Sequence, residues 1–147
     1  MIIIKVEQDC LPSMKVIVFD TETTGLIPSR FPRISSNVEK FPHIVQLSYV
    51  VYDTETHKIV HEQDDIIRLP DEVEIPEETS AIHGITKQLS KNRGIHIDSA
   101  LEIFSLYVKQ CKCVVAHNID FDMTMIDVDC IRTGLNNPFT SEKIYYC

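Results

Sequence analysis

The stretch Val16–Leu26 reads VIVFDTETTGL. Three β-branched residues and a phenylalanine lead into Asp20, and after one threonine comes a second carboxylate, Glu22. A continuous apolar run of this kind predicts a strand buried on both faces, and Gly25 permits the turn that ends it. Residues i and i+2 of a strand project to the same side about 6.6 Å apart, so Asp20 and Glu22 should stand together. Two like charges at the end of a buried strand repel unless a cation lies between them, and a divalent ion is the simplest such partner. A solvated strand end with a capping aspartate is the plainer reading of the pair alone.

Working outward from this stretch, the chain restarts well at Met14, so residues 1–13 are expected to be an extra edge strand or extension and residues 14–147 the domain. Ile27 to Pro42 holds prolines, serines and charges without a period and reads as a long loop. HIVQLSYVVYD and KIVHEQDDIIRLP then read as two strands joined through DTETH, forming an antiparallel pair. PEETSAIHGIT suits a helical turn and a bend at Gly84.

DSALEIFSLYVKQC follows, with Ile97, Leu101, Phe104, Val108 and Cys111 at helical spacing. Asp98 or Ser99 is the expected cap, Ser99 with Glu102 fitting the capping-box pattern. CVVAHN is a short buried strand, and FDMTMIDVDCIRTG a helix with Phe121, Met125, Val128 and Arg132 along one side, stopped by Gly134. KIYYC begins one more strand. Three strands followed by βα units predict a mixed sheet, antiparallel at one side and parallel at the other, with helices on its faces.

Asp122 lies in AHNIDFD, at the mouth of the CVVAHN strand and the first turn of the next helix. There it can face Asp20 and Glu22 across a strand end, so that three oxygen donors converge on hard cations. Asp120 competes for the role, and the helical register decides between them.

FDTETTGL, IPEETSAIHGIT and AHNIDFD, in that order, resemble the DEDD superfamily of 3′→5′ exonucleases. The likeness is greatest to the DEDDh (DnaQ-like) branch, which includes the proofreading subunit of bacterial DNA polymerase III and the Trex-type nucleases, and it covers about Met14 to Cys147. The resemblance implies an α/β, RNase H-like mixed sheet flanked by helices. It also implies hydrolysis of single-stranded or 3′-terminal DNA or RNA, one nucleotide at a time from the 3′ end.

Asp20 and Glu22 match the family's first acidic pair, and Asp122 its third metal-binding carboxylate. Two Mg²⁺ or Mn²⁺ ions about 3.5 to 4 Å apart are the implied cofactors. Thr24 and Leu26 match positions that hold the terminal nucleotide, Ile82 matches an apolar wedge against the last bases, and His83 lies beside it. His117 and Asn118 are expected to position the second motif, Asn118 by a hydrogen bond to the loop bearing Asp122.

The family's third motif, H-x-A-x-x-D, supplies a general-base histidine and a further metal-binding aspartate. After Asp122 the chain has 25 residues and no histidine. His43, His57, His61, His83, His96 and His117 all precede it, none with the spacing to substitute. The domain is therefore expected to be truncated at its C-terminus, as a fragment of a longer protein or a shortened gene product more readily than as a chain whose missing part a partner supplies, and weak or inactive as it stands.

Composition sets the outer bounds. The 147 residues, 44% of them apolar, suit one domain with an ordinary core. The net charge of −8 argues against a broad basic surface that holds nucleic acid by charge alone. No apolar run approaches a membrane span or a secretory signal, so an intracellular protein, cytoplasmic or nuclear, is expected. Five irregularly spaced cysteines suggest free thiols. The Cys111-x-Cys113 pair near His117 reads as a helix end passing into a strand more readily than as a zinc site.

Two rivals stand beside the nuclease. One is a nucleic-acid-binding module of the same fold without turnover. The other is a haloacid-dehalogenase-like phosphatase, whose D-x-D-x-T motif would make Asp20 a nucleophile with one Mg²⁺.

Overall fold

The computed structural model describes residues 13–28 and 37–147. Residues 1–12 of the expected extension, with Cys10, and residues 29–36 of the expected loop lie outside the described residues.

Strand β1 runs Lys15–Thr23, four residues past the apolar run, because β2 (Ile44–Asp53) pairs with it antiparallel along its whole length. Both acidic residues thus sit inside a strand and not beyond its end. β3 (Lys58–Ile66) follows antiparallel to β2. On its other side β1 meets β4 (Cys113–Val115) in parallel, but only from Val16 to Val18. β5 (Ile144–Tyr146) pairs in parallel with β4, giving the order β3-β2-β1-β4-β5. The stretch Thr21–Thr23 therefore projects past the end of β4 with that edge unpaired by strand, where α/β sheets commonly receive ligands.

Alternation decides what each face carries. Ile17 and Phe19 of β1, Leu47, Tyr49 and Val51 of β2, and Val114 of β4 join one buried cluster. Opposite them are Leu101, Phe104 and Val108 of α3 (Ile97–Gln110) and Met125, Ile126 and Cys130 of α4 (Ile119–Thr133). Phe104 is its hub, with ring centroids 5.3 Å from Phe19 and 5.2 Å from Tyr49, edge-on to the latter. With Phe19 and Thr21 turned to this face, Asp20 and Glu22 must turn to the other.

A bulge breaks the β1–β2 register between Glu22 and Thr23, so that Ile44 and Val45 are both buried on successive positions. Ile44 enters the main cluster. Val45 enters a second one with Leu69 and Ile85, packed by Val73, Ile75 and Leu89 beneath α1 (Glu77–His83) and α2 (Lys87–Arg93). That second cluster seats α1 beside the end of β1.

Helix α2 is the element that sequence reading missed. Its markers are Thr86, whose hydroxyl accepts from the Leu89 N–H, and Gly94 after Arg93. Seven residues were too short for a periodic signal. The cap expected for α3 also needs correction. His96 is the N-cap without a side-chain bond, and Asp98 accepts from the Ser99 N–H inside the first turn, so no capping box forms. Gly84 and Gly134 do end α1 and α4 in the left-handed region, as expected. Cys111 caps the end of α3 and Cys113 opens β4, both buried free thiols. Among the described residues no helix is long and apolar enough to cross a membrane.

Candidate functional site

Asp20 and Glu22 stand on one face of β1, opposite Ser48 and Gln46 of β2. Asp122 reaches the same strand from the first turn of α4. It is 2% exposed, and its Oδ1 accepts two hydrogen bonds from Thr21, the backbone N–H at 2.9 Å and the hydroxyl at 2.7 Å. The N–H belongs to the edge of β1 that β4 leaves unpaired, so the carboxylate completes the strand's hydrogen bonding.

The register question is thereby answered: Asp122 points inward and Asp120 is exposed. Asn118 enters the helix in the left-handed conformation (φ 57°) with no side-chain cap bond. Its carbonyl accepts from the Phe121 N–H. The expected side-chain bond is thus replaced by a backbone turn, a conformation that asparagine tolerates better than most residues.

The three carboxylates are electrostatically linked. Asp20 is exposed by surface area, yet the packed strand ends around it remove enough water for burial to dominate. Its pKa is raised, with the nearby His117 partly offsetting the effect. Glu22 is raised by burial and then by the charge of Asp20, against a lowering by His83. Asp122 is pushed up to about 6, first by burial, with the bonds from Thr21 opposing and Asp20 adding repulsion. Asp20 thus disfavours the charge on both neighbours, which a divalent cation would relieve.

Among the described residues no three His, Cys, Asp or Glu side chains stand together as a ready-made metal site. The donor chemistry nevertheless fits hard cations, since all three groups are carboxylates held near one strand end.

Beside Glu22 opens a groove of about 560 Å³. One wall is the β1 end and its turn, with Thr24 and Leu26, and the other is α1, with Ile82 and His83. Leu26 and Ile82 are 86% and 81% exposed, so two large apolar side chains flank a polar floor. His83 Nδ1 accepts from the Ile85 N–H at 3.1 Å, which leaves the proton of the neutral ring on Nε2. That nitrogen is buried with no hydrogen-bond partner. His117 stays outside the groove lining, exposed beside Asp20.

The sequence reading had not included Phe121, Glu78 and Thr79, which also line the groove. Signals for them existed. Glu78 and Thr79 precede Ile82 by one helical turn, and Phe121 adjoins Asp122.

A family model described as exonuclease, of the RNase T type, matches residues 17–146. The chain belongs to this exonuclease family. Its fold is the RNase H-like one: the structure of E. coli exonuclease I in complex with a dT13 oligonucleotide superposes with a TM-score of 0.71 at 15% identity. That match covers 90% of this chain and 27% of the other. Product-bound exonuclease I gives 0.71 at 15% identity, over 92% of this chain and 30% of that one. Exonuclease I without ligand gives 0.72 at 15% identity, over 92% and 29%. The exonuclease domain described here thus spans less than a third of the length of these structures. No curated protein matches its sequence. The family match spans the segments that the phosphatase reading left without a role.

Proposed function

We propose that this chain is a metal-dependent 3′→5′ exonuclease unit of the DEDDh type, hydrolysing phosphodiester bonds of DNA or RNA to nucleoside monophosphates. The observation that carries the reading is that three electrostatically linked carboxylates and a groove lie at the same end of β1. Glu22 belongs to both, and the groove gathers Thr24, Leu26, Ile82 and His83.

Asp20, Glu22 and Asp122 would hold two Mg²⁺ or Mn²⁺ ions, with Thr21 fixing the orientation of Asp122 through two bonds to one oxygen and leaving the other for a cation. When bound, such ions supply Lewis-acid chemistry and charge neutralisation at the scissile phosphate. Local cations also answer how a chain of net charge −8 holds a polyanion.

Leu26 and Ile82 grip the terminal base and sugar from opposite walls by apolar contact. His83 stands beside Ile82 on the same wall.

Proton removal from the attacking water has no histidine of the family's spacing among the six present. A missing general base costs about 10² to 10⁴ in rate, so turnover by these 147 residues is expected to be slow. The same feature favours the second reading, a module that binds without cleaving.

Mononucleotide release from a 3′-labelled single strand in Mn²⁺, compared between wild type and Asp20→Ala, separates the outcomes. Release that the substitution abolishes supports the nuclease. Binding without release supports the module, and equal rates in both proteins mean contamination.

A further inference from the structure

We infer that Arg132, paired with Asp129, is a positioning strut for the nucleotide-binding groove. This rests on the exonuclease reading of the groove. Arg132 lies in the last turn of α4, ten residues beyond Asp122 and so about 15 Å away along the helix. Its guanidinium donates to the carbonyls of Pro42 at 2.8 Å and Phe41 at 2.7 Å, and also to that of Val38. A fourth bond, 2.9 Å to Asp129 Oδ1, makes the one ion pair among the described residues. Asp129, 3% exposed, turns its other oxygen to the Ile44 N–H at 3.4 Å. The segment from Val38 to Ile44 is thus fastened to α4 at four points.

That segment fastens the groove in turn. The Thr24 N–H donates to the His43 carbonyl at 2.9 Å, and the His43 N–H donates to Thr24 Oγ1 at 3.0 Å. Glu22 therefore lies in a stretch held at both ends by one helix. Asp122 grips Thr21 directly, and Arg132 reaches Thr24 through His43. A guanidinium is suited to the task because its planar fork offers five donors in fixed geometry, which a lysine cannot reproduce.

Arg132→Lys keeps the charge and loses the fork, and Arg132→Gln removes both. Val108→Ala in α3, matched for loss of thermal stability, controls for general loosening. Two readouts are needed: amide hydrogen exchange at Thr24 and His43, and the Kd of a 5′-labelled ten-nucleotide dT strand with Ca²⁺ in place of Mg²⁺.

Both Arg132 variants are expected to exchange at Thr24 and His43 at least about tenfold faster than the control. Their Kd should rise about tenfold, and in turnover KM should move more than kcat. Exchange no faster than in Val108→Ala overturns the strut. Faster exchange with unchanged affinity overturns its role in positioning the groove. Absence of binding by the wild type overturns the exonuclease reading instead, and the exchange measurement then decides the strut alone.

Discussion

Replacing Asp122 by Asn tests the electrostatics of the carboxylate cluster without disturbing its shape. The amide oxygen can still accept both bonds from Thr21, so geometry is kept while the charge goes. In the metal-free protein the Asp122 carboxyl is held at about 6 against an ordinary 3.8, chiefly by burial. A carboxyl raised on folding gives the native state the greater proton affinity, so its contribution to stability is fully present below about pH 4. It is lost as pH rises through about 6. The difference of about two pKa units corresponds to about 3 kcal/mol at 1.36 kcal/mol per unit. For a chain of this length that is about 9 °C in Tm.

Urea unfolding in EDTA at pH 4, 6 and 8 measures it. Asp122→Asn should match the wild type at pH 4 and exceed it by up to about 3 kcal/mol at pH 8. Manganese should stabilise the wild type at pH 8 and leave the variant nearly unaffected. A variant with the same pH dependence as the wild type, or one that manganese stabilises equally, would refute the reasoning.

Three further outcomes are expected. Leu26→Ser and Ile82→Ser, at highly exposed positions, should change unfolding free energy by less than about 0.5 kcal/mol yet weaken binding of a single-stranded oligonucleotide in a gel-shift or anisotropy titration. Gly94→Ala should lower stability in thermal denaturation by about 1 to 3 kcal/mol or more, because its new methyl would sit 2.3 Å from the Ser90 carbonyl oxygen and 2.4 Å from the Arg68 nitrogen, both backbone atoms. His43 is held down to about 4 by burial and then by the Arg132 charge, so its imidazole should stay neutral at pH 5.5 in an NMR titration. A group depressed in this way stabilises the fold above its unfolded pKa, and stability should fall as pH drops from about 6.5 towards 4.

Much of this protein could be read from its residues in order. The unbroken run ahead of Asp20 marks a central strand, the DTETH turn between the next two segments marks their antiparallel pairing, and the helical spacing of Leu101, Phe104 and Val108 marks α3. These patterns are local: each depends on the period of one element against one buried face. The two-residue spacing of Asp20 and Glu22 likewise places them on a common side before any partner is known. The resemblance of AHNIDFD to the family's motif singled out Asp122 over Asp120, and α4 turns that residue inward.

Other features needed the folded chain. Thr21 as the partner of Asp122 is 101 positions away in sequence, and no periodicity connects them. The shortness of β4 leaves the Thr21 N–H free for that bond, and strand length on the far side of a sheet is not written in β1. The bulge at Glu22 sends Val45 to a second core that seats α1, so the groove exists only once three elements have packed. Helix α2 was invisible because seven residues carry too few periodic positions, and its place depends on Gly94 fitting against Arg68. Arg132 read as one more residue on a helix stripe. Its hold on three backbone carbonyls comes from a loop that returns about 90 positions from it in sequence, and only tertiary packing brings such partners within hydrogen-bonding distance.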